Sequence, residues 1–335
     1  MDKVRLGLVG CGLFGERHLR AFRAVRNAEI AAVFDVDRDR ARLMAAEFKI
    51  PRVCESYQEI CTLPDLDAVD VVTSEEAHAD PVLTALSAGK HVFVEKPLAI
   101  EIDDCTRMIE ASCTAGRILM VGHILRFETK CLMLKDELDS GRLGEIVSIH
   151  SWGNRPKTLL PRYGRTHPVL ENSIHDIDLM LWYTGKPVRR VRGFGRRVTT
   201  TMHPDTFWGV LEFEGGAVGI VETIWLLPAA AGIGLDDGVQ LIGTAGTANI
   251  QLLPGNYNVL RETGYDVPDI SYDPSVAGSV RGALRDELAY FCDCVADNIE
   301  PSVITPVEAK RAVRVALALI ESAEAERDVD LTEWD

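Results

Sequence analysis

The chain has 335 residues, of which 47% are hydrophobic, so it can bury a sizeable core and is long enough for two domains. Its 36 Lys and Arg against 51 Asp and Glu give a formal net charge of −15, which disfavours partners such as nucleic acids and anionic membranes. We expect a cytoplasmic protein, because the first apolar run is only strand-sized and later runs are interrupted by charges. Its eight scattered cysteines should then stay reduced.

Residues 1–122 alternate β-rich runs with stretches of helical periodicity, the pattern of a doubly wound parallel sheet. This alternation predicts an α/β fold with an N-terminal Rossmann dinucleotide-binding domain over residues 1–122. The predicted strands are residues 4–9, 30–34, 69–72, 91–94 and 118–121, and the predicted helices are residues 14–25, 38–48, 76–88 and 102–115.

Farther along the chain, β-rich runs follow one another across glycine-rich turns. We therefore predict a C-terminal α+β domain over residues 123–335 with a large, mostly antiparallel open sheet. Helices should lie on one face of this sheet, and the last two are candidates to pack back on the first domain. The other face is a candidate surface for a homodimer or homotetramer. Strands are predicted at residues 145–152, 188–198, 207–213, 217–226 and 239–242, helices at 168–183, 282–298 and 306–324, and a long loop at 255–279.

A glycine-rich loop, Gly10-Cys11-Gly12-Leu13-Phe14-Gly15, follows the first predicted strand and opens a helix. In this context Gly10 permits a tight turn, Gly12 lets the backbone approach a pyrophosphate, and Gly15 allows close packing of helix on strand. The loop therefore predicts a dinucleotide site.

The choice of cofactor depends on Asp35, which ends the second predicted strand twenty residues after Gly15. A carboxylate there accepts hydrogen bonds from the adenosine ribose and repels a 2′-phosphate, so NAD is favoured over NADP. Arg38 and Arg40 keep NADP as a minority alternative. Asp35 or Asp37 could instead serve only as a helix cap.

The motif Glu95-Lys96-Pro97 stands at the end of the apolar run 91–94, which reads as a buried strand. Ligands of open α/β sheets bind at the carboxyl ends of strands, and Pro97 biases Lys96 toward an extended conformation. The lysine is therefore predicted beside the nicotinamide. The alternative is a solvated lysine at a strand end.

In the second domain, residues 170–179 carry the most chemistry. At about 100° per residue, Glu171, His175 and Asp178 fall on one stripe of a continuous α-helix. A histidine can take the proton of a substrate hydroxyl as hydride leaves the same carbon, and a neighbouring carboxylate fixes its tautomer. A core histidine and a zinc site are the alternatives; we expect no metal, because no fourth ligand is evident.

Together with His78 in the run 73–78 and Arg126-Phe127 after Gly122, these motifs resemble those of the Gfo/Idh/MocA oxidoreductases over nearly the whole chain. The resemblance implies that Lys96 contacts both the reacting hydroxyl and the cofactor ribose, and that the Lys96–Pro97 bond is cis. The family places further cofactor-binding residues at Thr73, Ser74, His78, Glu95 and Arg126, although Arg126 could instead be a surface charge.

The resemblance also implies roles for the second-domain residues. His175 matches the catalytic histidine, Glu171 takes the place of a usual aspartate, and Asp178 matches a substrate-contacting acid. Glu75 is a departure from the family pattern, as are Asn172 and Ser173 before the histidine. These departures indicate a subgroup within the family.

The sequence thus predicts an NAD-dependent dehydrogenase acting on a CH–OH group of a cyclic polyol, sugar or sugar derivative. Two alternatives stay open: an NAD-dependent glycosidase without net redox, and a catalytically silent NAD-binding regulator. Polar residues before the predicted histidine helix are candidates to hold the substrate: Asn154, Arg155, Arg162, Tyr163 and His167.

Overall fold

The computed structural model describes residues 3–199, 202–228, 234–253, 257–262 and 264–331. The chain divides into two compact units, one of Met1–Phe127 with Tyr272–Lys310 and one of Glu128–Ser271 with Arg311–Asp335. Each unit is therefore built from two separate stretches of chain. The domain boundary at residues 122 and 123 stays a prediction.

A parallel sheet forms the centre of the first unit. Its strands are β1 (Val4–Val9), β2 (Ala28–Phe34), β3 (Arg52–Val53), β4 (Ala68–Val71), β5 (His91–Glu95) and β6 (Leu119–Gly122). All neighbouring strands pair in parallel, in the order β3-β2-β1-β4-β5-β6. The order reverses direction between β1 and β4, which is where doubly wound sheets bind dinucleotides. The predicted Rossmann fold is confirmed.

The helices that connect these strands are α1 (Leu13–Phe22), α2 (Arg38–Phe48), α3 (Tyr57–Cys61), α4 (Ala79–Ser87) and α5 (Ile102–Ala115). Every residue of β4, β5 and β6 is buried, as expected for parallel strands with both faces covered. α4 begins three residues later than predicted, because Glu75–Ala77 forms a 3₁₀ turn.

The second unit contains most of the elements that follow. They are α6 (Thr129–Asp139), β7 (Ile146–Asn154), α7 (Leu160–Tyr163), α8 (Ile174–Thr184), β8 (Val188–Arg196), β9 (Thr206–Phe213), β10 (Val218–Ile224), β11 (Asp236–Gly243), β12 (Thr247–Leu253), β13 (Val259–Arg261) and β14 (Gly264–Asp266). The rest of the chain adds β15 (Ser275–Val276), β16 (Ser279–Val280), α9 (Ala283–Asp297), α10 (Pro306–Glu324) and β17 (Val329–Asp330).

A seven-stranded sheet forms the second unit's centre, in the order β12-β11-β7-β10-β9-β8-β17. β7 and β10 pair in parallel, and every other neighbouring pair is antiparallel. The predicted, mostly antiparallel sheet is confirmed. Helix α8 covers one face so closely that a Cβ added at Gly219 would lie 2.8 Å from the Met180 Sδ.

The other face of this sheet carries apolar side chains that stay exposed. The strand register places Phe194, Trp208, Ile220 and Ile242 on this face, and they are 51%, 38%, 38% and 39% exposed. Residues of opposite parity on β9, such as Phe207 and Leu211, are fully buried. The alternation matches a sheet that is packed on one side only.

Helix α9 belongs to the first unit and brings an aromatic side chain to its core. Phe291 meets Phe93 of β5 edge to face, with ring centroids 5.6 Å apart, and both rings are fully buried. At the surface, Asn27 Nδ2 donates to Asp293 Oδ1 at 2.8 Å. The first unit is therefore completed by residues far along the chain.

The predicted long loop at 255–279 is wrong in part, because the short strands β13, β14 and β15 lie within it. Strands of two or three residues are too short to show a period of two in the sequence. Residues 255, 256 and 263 of this segment lie outside the described residues. Within the described ranges, no helix is long and apolar enough to cross a membrane; the cytoplasmic location stays a prediction.

Candidate active-site residues in the two units

The glycine loop joins β1 to α1 at the switch point of the first sheet. Gly10 has a φ of +105°, and a Cβ added at Gly15 would lie 2.0 Å from the Gly10 carbonyl oxygen, so neither position accepts a side chain. Gly12 is the N-cap of α1, and a Cβ there would meet no atom within 4 Å. The loop thus leaves open space before a helix N-terminus, which fits the pyrophosphate of a dinucleotide.

Asp35 is tied to this loop rather than to a helix terminus. Its carboxylate accepts from the Cys11 N–H at 2.6 Å and from the Asp37 N–H at 2.8 Å. Asp37 is the residue that caps α2, through the N–H groups of Asp39 and Arg40. The alternative of Asp35 as a helix cap is therefore wrong.

The two arginines that favoured NADP are both engaged with carboxylates. Arg40 donates to the Cys11 carbonyl at 2.8 Å and to Glu16 Oε2 at 2.7 Å, which fixes it against the glycine loop. Arg38 forms an ion pair with Glu55 at the surface. These pairings leave the Asp35 carboxylate, whose contact with the ribose stays a prediction, as the feature that favours NAD.

Lys96 lies at the carboxyl end of β5. Every residue in the run 91–99 is buried except Lys96, which is partly exposed. The Lys96–Pro97 bond is cis, as predicted, and the Lys96 N–H donates to Glu95 Oε2 at 3.2 Å. The buried His78 holds the turn from the other side, since its Nδ1 donates to the Pro97 carbonyl at 2.9 Å. Burial lowers the pKa of His78, so its imidazole is neutral.

Two residues beside this turn were not predicted from the sequence. His18 of α1 contacts Asp70 of β4 through Nδ1, at 2.9 Å from Oδ2, and Glu95 of β5 through Nε2, at 3.1 Å from Oε1. All three side chains are buried. The sequence does carry one signal for this contact. Asp70 is a charged residue in a run that is typical of a buried strand, and a buried charge needs a partner.

The remaining first-unit residues that the sequence singled out lie after β4 and in the 3₁₀ turn Ile124–Phe127, which follows β6. Thr73 and Ser74 follow β4, and Ser74 is the N-cap of the 3₁₀ turn that contains the buried Glu75. Arg126 is only 1% exposed and donates to the Val303 carbonyl at 2.7 Å and to Glu308 Oε1 at 3.0 Å. The surface-charge alternative for Arg126 is therefore wrong, and its cofactor-binding role stays a prediction.

In the second unit, the histidine segment does not begin as an α-helix. Val169–Ser173 forms a π-helical turn, and α8 begins only at Ile174. The predicted continuous helix over 168–183 is wrong at its start, so the stripe angle calculated for Glu171 does not hold. A π turn has no distinct periodicity in so few residues, and such turns are frequent at functional sites.

The exposure pattern of this segment isolates two side chains. Every residue in the run 167–180 is buried except Glu171 and His175, which are partly exposed. Asp178, predicted to contact substrate, is only 1% exposed. A carboxylate and an imidazole are thus the accessible groups of an otherwise buried segment.

The side chains of Asn154 and Arg155 bind residues of the second sheet. Asn154 ends β7, and its Nδ2 donates to Glu222 Oε1 at 3.0 Å and to Asp236 Oδ2 at 3.3 Å. Its Oδ1 accepts the Ile224 N–H at 2.9 Å. Arg155 pairs with the buried Asp237. Substrate contacts by Asn154 and Arg155 stay predictions.

Behind the histidine segment lies a buried polar set. Asn172 Nδ2 donates to the Gly153 carbonyl at 2.7 Å and to Thr223 Oγ1 at 2.9 Å. Asp176 accepts a hydrogen bond from the Ser151 hydroxyl. Burial raises the pKa of Asp176 to about 7, against a smaller opposing effect of Ser151. Asn172, which departs from the family pattern, therefore bonds the π turn to the sheet.

The residues before this segment differ in exposure. Arg162 is exposed in the short helix α7, whereas His167 is buried, and burial lowers its pKa to about 3. Tyr163 lies against Trp225, with ring centroids 6.3 Å apart. Arg162 is accordingly the predicted substrate contact that is open to a ligand. Within the described stretches of chain, no group of three or more His, Cys, Asp and Glu residues is placed to hold a metal ion.

Family comparisons match both parts of the chain. A model described as an oxidoreductase family with an NAD-binding Rossmann fold matches residues 4–123, and the GFO/IDH/MocA C-terminal domain matches residues 131–249. Inositol 2-dehydrogenase 2 of Saccharopolyspora erythraea is 34% identical over 252 residues, covering 74% of this chain and 73% of the relative. Inositol 2-dehydrogenase of Acidothermus cellulolyticus is 35% identical over 247 residues, covering 73% and 72%.

The fold itself recurs in solved structures. The crystal structure of scyllo-inositol dehydrogenase from Lactobacillus casei, with bound NAD(H) and scyllo-inositol, superposes with a TM-score of 0.85. Its sequence is 23% identical, and the match covers 99% of this chain and 100% of that one. This likeness extends the shared fold to the whole chain.

Proposed function

The chain belongs to the GFO/IDH/MocA family of NAD-binding oxidoreductases, and we propose that it oxidises a secondary alcohol of a cyclic polyol of the inositol class. It is an NAD-dependent dehydrogenase acting on CH–OH groups. The proposal of a cyclic polyol is supported by relatives named inositol 2-dehydrogenase that share about a third of its residues over most of the chain, 34% and 35% in two cases.

The observation that carries the proposed mechanism is the exposure of a few proton-carrying groups in buried surroundings. Lys96 is the accessible residue of the run 91–99, and Glu171 with His175 are those of the run 167–180. Buried runs that leave only an amine, a carboxylate and an imidazole accessible are suited to proton transfer rather than to structural pairing.

We assign the roles as follows. His175 accepts the proton of the substrate hydroxyl, and the Glu171 carboxylate stabilises the imidazolium that forms. Lys96 donates a hydrogen bond to the same hydroxyl oxygen and holds it in place. NAD, when bound, supplies the hydride acceptor. The glycine loop and Asp35 hold its pyrophosphate and adenosine ribose.

The first experiment is a fluorescence screen for NADH with a panel of polyols and sugars that includes myo-inositol and scyllo-inositol. Lys96→Ala should leave the NAD dissociation constant within about 3-fold and lower kcat by at least about 10³-fold, because the lysine acts on the reacting oxygen. Lys186→Ala, at an exposed position after α8, is the matched control and should change neither. Unchanged turnover in Lys96→Ala would remove this residue from the mechanism.

The same assay separates the two alternative functions. A glycosidase that uses NAD transiently would release sugar from glycosides without accumulating NADH. A silent regulator would bind NAD and oxidise no compound of the panel. NADH formed in equimolar amount with a ketone product would exclude both.

We also propose that two copies of the chain associate through the open face of the second sheet. The support is that Phe194, Trp208, Ile220 and Ile242 expose apolar surface on the same sheet face, because exposed apolar surface on one face marks association sites. Light scattering should give a molar mass of two or four chains. A monomer at micromolar concentration would contradict the proposal.

A further inference from the structure

A buried chain of polar contacts links helix α1 to the Lys96 turn. It runs from Asp70 on β4 through His18 on α1 to Glu95 on β5, and from Glu95 to the main chain of Lys96. His18 and Asp70 are fully buried and Glu95 is 7% exposed. The mechanism described above uses none of the first three side chains.

The two oxygens of Glu95 have different partners. Oε1 lies 3.1 Å from His18 Nε2, and Oε2 accepts the Lys96 N–H at 3.2 Å. The carboxylate therefore joins a side chain of α1 to the backbone of the residue proposed to hold the substrate hydroxyl. Charge-assisted hydrogen bonds of this kind fix geometry as well as adding stability.

The neighbouring strand leaves room for this carboxylate. A Cβ added at Gly122 of β6 would lie 2.7 Å from Glu95 Oε1, a distance at which one of the two groups would have to move. Aromatic rings enclose the imidazole, since the centroids of Phe14 and Phe93 lie 5.2 Å and 5.8 Å from that of His18. The contact chain is thus enclosed and tightly constrained.

The charges in this enclosure favour a protonated imidazole. Burial alone lowers the pKa of His18, but the carboxylates of Asp70 and Glu95 outweigh it and raise the pKa to about 10. Helix α9 contributes the thiol of Cys292, whose pKa is raised by burial and by Asp70. At neutral pH both ring nitrogens of His18 therefore donate, one to each carboxylate.

We propose that His18 is a positioning residue that sets the backbone of Lys96 through Glu95. It connects α1, the helix that starts at the glycine loop, to the turn that carries Lys96. The glycine loop and the Lys96 turn are therefore held in a fixed position relative to each other. The inference rests on the proposed role of Lys96 in turnover, but the contact it describes can be measured without turnover.

Two substitutions separate the contacts of His18. In His18→Asn the amide nitrogen takes the place of Nδ1, which keeps the bond to Asp70 and loses the bond to Glu95. In His18→Gln the amide nitrogen reaches the place of Nε2, which keeps the bond to Glu95 instead. Both variants lose the same positive charge and the same ring, so each is the control for the other.

The first readout is the amide resonance of Lys96. Glu95-Lys96 is the only Glu–Lys pair in the sequence, so ¹³C-carbonyl labelling of glutamate with ¹⁵N labelling of lysine selects this one peptide bond. The resonance should move in His18→Asn and stay near its wild-type position in His18→Gln. A resonance that is unmoved in folded His18→Asn would overturn the proposal.

The second readout is kinetic, with NAD and myo-inositol. His18→Asn should lower kcat about 10- to 100-fold with the KM for NAD within about 3-fold, because a small displacement of a positioned group is costly, while His18→Gln should keep kcat within about 3-fold. A merely structural role predicts equal losses of thermal stability and no difference in kcat between the variants, which would also overturn the proposal.

The two proposals fail in distinguishable ways. If the wild-type protein oxidises no polyol, the proposed function fails, and the Lys96 resonance alone then decides the role of His18. If the wild type is active and the variants do not differ in either readout, the role of His18 fails while the proposed function stands.

Discussion

Lys96 lies at the end of a parallel strand, where its main-chain N–H donates to Glu95, whereas His175 lies in the first turn of a helix that begins from a π-helical turn. The environments also differ in charge. Beside Lys96, two buried carboxylates face a protonated His18; beside His175, Asp176 accepts from a serine hydroxyl and its pKa is raised by burial to about 7.

Lys96 and His175 are therefore held in place by different kinds of interaction. The Lys96 turn depends on one buried imidazolium between two carboxylates, so removal of His18 leaves Asp70 and Glu95 buried without their shared cation. The His175 segment depends on packing and on neutral hydrogen bonds, of which those of Asn172 are examples. The two regions should therefore respond differently to substitution and to pH.

The largest expected effect comes from His175 itself. His175→Asn should lower kcat by about 10²- to 10⁴-fold, because the amide cannot accept a proton. It should also abolish the rise of kcat with pH that a general base imposes, which a pH profile of NADH formation would measure. A kcat within about 3-fold of the wild type would show that His175 does not accept the substrate proton.

Substitution of Glu171 should lower kcat less than substitution of His175. Glu171→Gln should lower kcat about 10- to 100-fold, because a neutral amide no longer stabilises an imidazolium on His175. Glu171→Asp, which restores the residue usual in the family, should cost less than about 10-fold. Equal losses in steady-state assays of the two variants would mean that side-chain length matters as much as charge at this position, which would contradict the role assigned to the charge.

The smallest expected effect is on stability and comes from Asp176. An acid whose pKa is raised from 3.8 to about 7 costs stability progressively as pH rises through that interval, and the full cost is present above it. Asp176→Asn should therefore raise the free energy of unfolding at pH 8 by about 1–3 kcal/mol, less than the roughly 4 kcal/mol that the shift alone implies. At pH 4 the variant should match the wild type in urea titrations.

Asp205 provides the matched control for that experiment. Although burial raises its pKa, hydrogen bonds from Thr199 and Val198 hold the pKa of Asp205 below its usual value. Asp205→Asn should therefore lower stability at pH 8, opposite in sign to Asp176→Asn. The same sign for both substitutions would contradict the account of the buried carboxyls.

Much of the fold was predictable because its signals are local. The bounds of β1, α2, α5 and α10 agree with the predicted ranges to the residue, since each is a long periodic or apolar run. β3 and β17 span only two residues each and were not predicted. Their pairing is decided by neighbouring strands that are remote in sequence.

The candidate site also contains some features that local motifs predict and others that they do not. The glycine loop, Asp35 and the cis bond at Pro97 follow from short motifs, and the structure bears out their local geometry. The contact of His18 with Asp70 joins residues 52 positions apart, which no spacing rule indicates. The π turn is likewise bonded to residues remote in sequence, since Asn172 donates to the Gly153 carbonyl, and no local period indicates it.

The first unit is assembled from Met1–Phe127 and Tyr272–Lys310, with Phe291 packed against Phe93 in its core. During synthesis, the nucleotide-binding sheet must therefore wait for the second stretch of its unit, Tyr272–Lys310, before its own core can close, although domains commonly fold in order of emergence. A fragment that stops after residue 127 would expose Phe93 to water and invite aggregation. A chain that ends before α9 should thus lack part of the core of a unit whose parallel sheet has already been translated.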